Sequence, residues 1–396
     1  MPRAERIAFV CPRFAEGATV GGAETLLRWQ AERAAMAGRR VTFLATCATN
    51  HFTWANELPA GASKAGPIAV LRFPVDADRD VDKFLRVQAA ISRGGPVSEA
   101  DERAWIENSV NSRALCRFLK EHMGEFDRVV AGPYLFGITV AVSRIAREKF
   151  MLVPCLHDEG FARAGVIRRM FEAAGSIGFN AEPERDLASR LYSIKLERSA
   201  VIGMGIPEFD ADPGAFAARR GIAEPYLIYS GRREGGKGTP LLMDYFALFR
   251  RRTGRPLKLV LTGSGEAHPS EAVRGDVIDL GFLPEPEKRE AMAGAIAFCH
   301  PSVNESFSIV QLEAFMARTP ALVHGMCEVT TFHCRRARAG LWFRTYPEFE
   351  EAVLRLMDQP GLRAALGGAG RRYVMEHYTC EAVSRKLLAA LDGDGA

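Results

Sequence analysis

The chain has 396 residues, 47 % of them hydrophobic, a length that favours two domains with enough apolar content for two packed cores. Its 52 basic and 48 acidic side chains leave a formal charge of +4, too small to point to nucleic acid, and at most a weak pull toward an anionic acceptor or a membrane surface. No run of 18 apolar residues is present, which excludes a spanning helix.

Strand-like and helical segments alternate from end to end, the pattern of stacked α/β units with parallel sheets. The first strand is Ile7–Cys11, followed by a loop with Gly17, Gly21 and Gly22 and a helix from about Ala23. Val41–Thr46 is the next strand, leading into a long loop, Cys47–Pro59, in which Trp54 is a packing residue or an acceptor contact. A helical stretch from about Val97 to Met123 connects to a strand at Arg128–Ala131. Phe150–Leu156 reads as a buried strand ending in His157-Asp158-Glu159, and a His at such a strand end sits where doubly wound folds place ligand groups. Asp158 would orient its ring or cap the turn. Ser176–Asn180 and Ser199–Val201 complete the first sheet, and the Gly-, Pro- and acid-rich run Gly203–Pro213 has the composition of a linker.

The second half opens with a strand at Tyr226 that runs into Gly231-Arg-Arg-Glu-Gly-Gly-Lys-Gly238 and then a helix from about Pro240. Gly231 to Lys237 satisfies the phosphate-loop pattern G-x-x-x-x-G-K, but Gly238 stands where that motif needs a hydroxyl for Mg²⁺. Leu257–Thr262 and Val277–Leu280 are further strands. An apolar run, Ala295–Cys299, reads as a buried strand, followed by a polar turn and a helix from near Ser308 with Ile309, Leu312 and Phe315 on one face. Glu305 and Glu313 flank this helix start, and the amides of Phe307, Ser308, Ile309 and Val310 between them lack intrahelical partners, so they suit phosphate oxygens. Eight helical residues would span about 12 Å, which would let each acid grip a hydroxylated group on either side of a diphosphate. Strands at Ala321–His324 and Leu341–Arg344, helices from Pro347 and a last helix from Tyr378 follow.

On these residues the chain resembles the family 4 glycosyltransferases, retaining enzymes of the GT-B fold. The resemblance rests on Glu305 and Glu313 with seven residues between them after a Pro-Ser turn, on Gly231-Arg232 with Lys237-Gly238, on Gly21-Gly22-Ala23-Glu24 and on His157. It departs at Ser308, where the family usually has Gly. The fold so implied is α/β, two Rossmann-like domains facing a central cleft: an acceptor-side domain over 1–205, a donor-side domain over 206–377, and a C-terminal helix over 378–396 crossing back to the first. By resemblance Arg232 and Lys237 neutralise the donor diphosphate, Glu305 and His157 orient the sugar and Glu313 holds the ribose. The same resemblance puts Gly22 beside the donor and Glu24 on the acceptor side, where Trp54 is a candidate contact through its place in the long loop, and brings the backbone at Phe282 and Leu283 to the nucleobase.

The implied activity is metal-independent transfer from a UDP- or GDP-sugar to a glycan, lipid-linked or small-molecule acceptor, with no cofactor and no nucleic acid. A non-catalytic nucleotide-sugar-binding protein and a phosphate-loop ATPase are the rival readings. The two acid-rich runs, Asp76 to Asp82 and Asp210-Ala-Asp212, read as solvated surface rather than metal ligands. Eight scattered Cys without a C-x-x-C pair, and no secretory leader, give the expectation of a reduced, cytoplasmic protein, with peripheral association at the inner face of the membrane left open.

Overall fold

A computed structural model of the chain describes residues 5–17, 21–194 and 196–393. It divides into two compact units, one of residues up to Met204 together with Val383 onward, the other Gly205–Ala382.

The first unit carries eight strands: β1 (Arg6–Val10), β2 (Arg40–Thr46), β3 (Gly61–Ala65), β4 (Ile68–Phe73), β5 (Arg128–Ala131), β6 (Phe150–Leu152), β7 (Ser176–Phe179) and β8 (Ser199–Val201). Their order is β3-β4-β2-β1-β5-β6-β7-β8, parallel throughout except for the β3–β4 hairpin at one edge. The inner strands are apolar on both faces, as a sheet covered by helices on both sides requires, and Phe9, Phe43, Val130 and Leu152 are fully enclosed. Chain reversal from β1 to its two neighbours, β2 on one side and β5 on the other, gives this sheet a switch point at the carboxyl end of β1. The last helix (Cys380–Asp392) ends in this unit, where Arg39 Nη2 pairs with Asp392 Oδ2 at 2.7 Å and Arg128 Nε donates to the Leu391 carbonyl.

Three expectations change here. The strand at Phe150 stops at Leu152, because Pro154 has no N–H to offer a neighbour and Cys155 turns into the left-handed region at φ 53°. The helical stretch at 97–123 is two helices, Glu99–Glu107 and Arg113–Glu121, each started by a serine side chain, Ser98 and Ser112, that accepts from a backbone N–H one turn on. The Asp76–Asp82 run is not merely solvated: Asp80 caps a helix over Val81–Ser92, and Asp76 and Asp78 bind Arg113.

The second unit carries β9 (Tyr226–Ser230), β10 (Lys258–Thr262), β11 (Val277–Asp279), β12 (Ala297–His300), β13 (Ala321–His324) and β14 (Gly340–Phe343), all parallel, in the order β11-β10-β9-β12-β13-β14. Numbered within the unit this is 3-2-1-4-5-6, the doubly wound order, whose ligand crevice lies outside the carboxyl ends of its first and fourth strands, here β9 and β12. Those two strands end at Ser230 and His300, immediately before the two stretches singled out in the sequence.

Candidate active site

After β9 the backbone passes through Gly231 at φ 149°, and its N–H is held by the Thr262 carbonyl at 2.9 Å. Arg233 rather than Arg232 is the buried arginine of this turn: its Nε donates to the Gly265 carbonyl at 2.9 Å and its Nη2 lies 3.1 Å from Asp279. Arg232 is half exposed, with Glu234 at 3.3 Å. A short 3₁₀ turn (Gly235–Lys237) leads to Gly238 at φ 70°, where a Cβ would stand 2.6 Å from the Pro301 carbonyl oxygen. Glycine is therefore required at 238 both for its backbone and for the approach of the turn to the residue after β12. The following helix (Thr239–Thr253) starts only after this break.

That approach brings Lys237 to Glu305. The ammonium lies 2.7 Å from Glu305 Oε1, and His300 Nε2, at the end of β12, lies 2.9 Å from the same oxygen. The carboxyl is largely buried, which would push its pKa up, but the Lys237 ammonium and the His300 ring outweigh burial and hold it well below the usual carboxylate range. The helix behind it covers Ile309–Met316, so Glu305 belongs to the turn after β12 and not to the helix; helical rise spans only the second half of the interval to Glu313. Ser308 sits at the N-cap in the left-handed region, φ 62° and ψ 67°, with its hydroxyl buried and unpaired. The resembled family's usual Gly at this position has a physical reason, and Ser is the strained substitute.

Glu313, on the first turns of that helix, is partly buried and 3.2 Å from Lys288 Nζ, which also reaches Glu285 at 2.7 Å. Burial raises the Glu313 pKa, Glu285 adds to this, and Lys288 opposes it without cancelling it. Phe307 has its ring buried at 5.8 Å from His333 and 5.5 Å from Tyr378, which leaves the backbone at 307–310 as the part of this stretch able to meet a ligand. Phe282 follows β11 with its ring 67 % exposed, and Leu283 beside it is half buried.

In the first unit Gly21 caps the helix Gly22–Met36. A Cβ at Gly21 would stand 2.2 Å from Glu24 Oε2, whereas one at Gly22 would meet nothing, so the steric demand falls on Gly21. Glu24 is not a free acceptor-side acid: it is buried against Arg13, whose Nε and Nη2 reach Oε1 at 3.0 and 2.5 Å. Arg13 Nη1 also donates to the Thr49 carbonyl at 2.7 Å, anchoring the start of the long loop. Trp54 packs edge-on to Phe136 at 5.3 Å with the Arg13 guanidinium 5.7 Å from its ring, which favours its packing role. His157 is half buried, and its Nδ1 faces Glu159 Oε1 at 3.7 Å, an oxygen that also accepts from Tyr134 at 2.6 Å. Asp158 turns away to Arg163 at 2.6 Å. Behind this loop the buried Glu184 accepts from the backbone N–H of Leu156 at 2.6 Å and of Asn180 at 2.5 Å, tying together the segments that follow β6 and β7.

Sequence reasoning missed His300, Lys288, Arg13, Glu159 and Glu184. His300 carried a readable signal, a polar ring closing an apolar strand five residues before Glu305; the pairings of Lys288 with Glu313, Arg13 with Glu24, Glu159 with Tyr134 and Glu184 with Leu156 arise only through the tertiary fold. Among the described residues no three His, Cys, Asp or Glu side chains gather as a metal-ligand set.

Residues 217–373 match the model of the family described as Glycosyl transferases group 1. With two parallel-sheet units and the neighbours below, the chain is a glycosyltransferase of the GT-B fold. It is similar to a D-inositol 3-phosphate glycosyltransferase of Nocardia farcinica, 27 % identical over 387 residues that cover 82 % of this chain and 84 % of the relative. Among solved structures it is similar to sucrose-phosphate synthase of Thermosynechococcus elongatus, with TM-score 0.72, 15 % identity and 96 % of each chain covered. Anabaena HepE, solved with UDP and glucose, gives TM-score 0.68 at 15 % identity, covering 96 % of this chain and 97 % of that one.

Proposed function

We propose that the protein moves a sugar from a UDP- or GDP-sugar to a hydroxyl acceptor with retention of anomeric configuration and without a divalent metal. The observation that carries this reading is the meeting of Lys237 with Glu305 at the switch point between β9 and β12. Breaking the bond between sugar and diphosphate builds negative charge on the leaving oxygen, and preorganised cations there stabilise the transition state more than the ground state. Lys237 supplies one such cation, Arg232 on the same turn a second, and the N–H groups at the start of the Ile309–Met316 helix add further donors. Glu305, held charged and oriented, accepts from a sugar hydroxyl, while Glu313 takes the ribose and the backbone near Phe282 and Leu283 meets the base. His157 in the first unit orients the sugar. The expected course is front-side attack, in which the leaving diphosphate assists removal of the acceptor proton, as in the resembled family. HepE, solved with UDP-glucose, supports a UDP-sugar as the first donor to test, and the relative named for D-inositol 3-phosphate makes a polyol phosphate a first acceptor class.

The test is donor turnover in excess EDTA with UDP- and GDP-sugars, followed by NMR of the product anomer. Transfer with retained configuration is expected. Inverted product, or activity that vanishes in EDTA and returns with Mg²⁺, would overturn the mechanism.

A further inference from the structure

His300 is the group in this site that neither the family match nor the sequence motifs account for. Its ring is 5 % exposed and lies beside two aromatic rings, Phe298 at 5.4 Å and Tyr229 at 6.3 Å, both within 20° of parallel to it. Its Nδ1 is buried with no partner, so the ring's one polar engagement is Nε2 with Glu305 Oε1. Lys237 uses that same oxygen, and Oε2 takes no hydrogen bond among the described residues. Two donors therefore converge on one carboxylate oxygen, one on a long flexible stem and one on a buried ring with two rotatable bonds.

The geometry points to His300 as a positioning residue that keeps Glu305 charged and oriented when Lys237 turns from it to the donor diphosphate. This rests on the nucleotide-sugar reading above. In the unliganded site Lys237 and Glu305 neutralise one another. A diphosphate brings negative charge that competes for the ammonium, and if Lys237 were the only partner, its departure would leave a buried carboxylate alone, a costly state. His300 removes most of that cost by retaining one hydrogen bond on Oε1. It also leaves Oε2, which takes no hydrogen bond among the described residues, for a sugar hydroxyl to donate to. Nucleotide binding and Glu305 orientation are thus coupled through the release of a single ammonium, and His300 sets how easily that release occurs.

The test is calorimetric titration of UDP and GDP into wild type, H300Q, H300F, E305Q and the H300F/E305Q double variant, with UMP and GMP as shorter probes. Loss of a hydrogen bond to a charged group predicts that H300F weakens diphosphate binding about tenfold. H300Q, whose amide nitrogen can reach the place of Nε2, should stay within about threefold of wild type. In the E305Q background, where no charge is left to stabilise, H300F should cost little more, and monophosphate binding should change less than diphosphate binding in every variant. A merely structural role for His300 would produce the same loss with and without Glu305 and no rescue by H300Q; that pattern, or unchanged affinity in H300F, overturns the inference alone. If neither UDP nor GDP binds the wild type, the nucleotide-sugar reading fails and this inference fails with it. Should H300F not fold, H300N, whose amide stops short of Glu305, replaces it with the same outcomes.

Discussion

Glu305 and Glu184 are both enclosed carboxyls whose surroundings move them in opposite directions. Glu305 has a lysine and a histidine on one oxygen, and its pKa is depressed; its stabilising contribution is present above the ordinary carboxylate value and is lost only as pH falls through the strongly acid range. Among the described residues Glu184 has no cation beside it, only backbone N–H groups and the Asn180 side-chain amide, and burial outweighs them, raising its pKa from 4.5 to about 8. The sign is reversed. The folded first unit keeps a proton that the unfolded chain releases, so this contribution is whole below about pH 4.5 and is lost as pH rises through about 8. The slope in that window is at most about 1.4 kcal/mol per pH unit. Three of the four tryptophans, Trp29, Trp54 and Trp105, lie in the first unit, so urea unfolding followed by tryptophan fluorescence reports on it. Between pH 5 and 8 its stability should fall, and Glu184→Gln, less stable in absolute terms because its amide cannot accept from both N–H groups, should flatten that dependence. A wild-type profile no steeper than that of the variant would show that Glu184 is ionised at neutral pH and that its two amide donors prevail over burial.

At the scale of elements, the helix Ile309–Met316 begins through a serine in a backbone conformation that suits glycine, with a buried hydroxyl that finds no partner. Ser308→Gly relieves both faults against some gain of chain entropy in the unfolded state, and should stabilise the second unit by about 1 kcal/mol. Ser308→Val, β-branched at positive φ, should destabilise it by more than that. Denaturation midpoints of the two variants measure the pair, and a destabilised glycine variant would mean that the hydroxyl has a partner in solution. The same helix shows what the sequence could reveal. Its apolar face, the polar turn before it and the two acids were legible because they follow local periodicity and fixed spacing, as were β5, β7, β8 and the glycine turn after β9. The β3–β4 hairpin was not, since β3 is Gly-Ala-Ser-Lys-Ala, nearly all of it exposed, with no alternation to read. The helix at Val81–Ser92 was hidden in an acid-rich run because it buries only Val87 and Ile91. Glu24 was legible as a glycine-loop acid, but its pairing with Arg13 was not, because eleven residues and a turn separate the two partners. Local pattern located the candidate site; which side chains neutralise one another inside it was decided by the packing of β9 against β12.

For the molecule as a whole, the nucleotide contacts proposed here all fall in the second unit: Lys237 after β9, the backbone beyond β11, and the amides and Glu313 after β12. These stretches are far apart in sequence and share only their place at the carboxyl ends of one parallel sheet, which is how a doubly wound fold assembles a phosphate site. Bare UDP or GDP should therefore slow amide exchange in three separate segments, about residues 231–239, 280–288 and 304–313, and raise the unfolding midpoint with the logarithm of nucleotide concentration. Lys237→Ala should weaken this response without erasing its pattern, since Glu313 and the backbone after β11 still hold the ribose and base. Hydrogen–deuterium exchange on the full chain reads all three segments at once. Protection confined to the first unit would move the nucleotide away from the β9–β12 switch point. Protection at 231–239 alone would favour the phosphate-loop arrangement, which engages a nucleotide through that turn without Glu313. Protection of all three, reduced most strongly at 304–313 when Lys237 is removed, is the result expected if the ammonium shuttles between Glu305 and the diphosphate, because only then does the turn after β12 sense what lysine the turn after β9 carries.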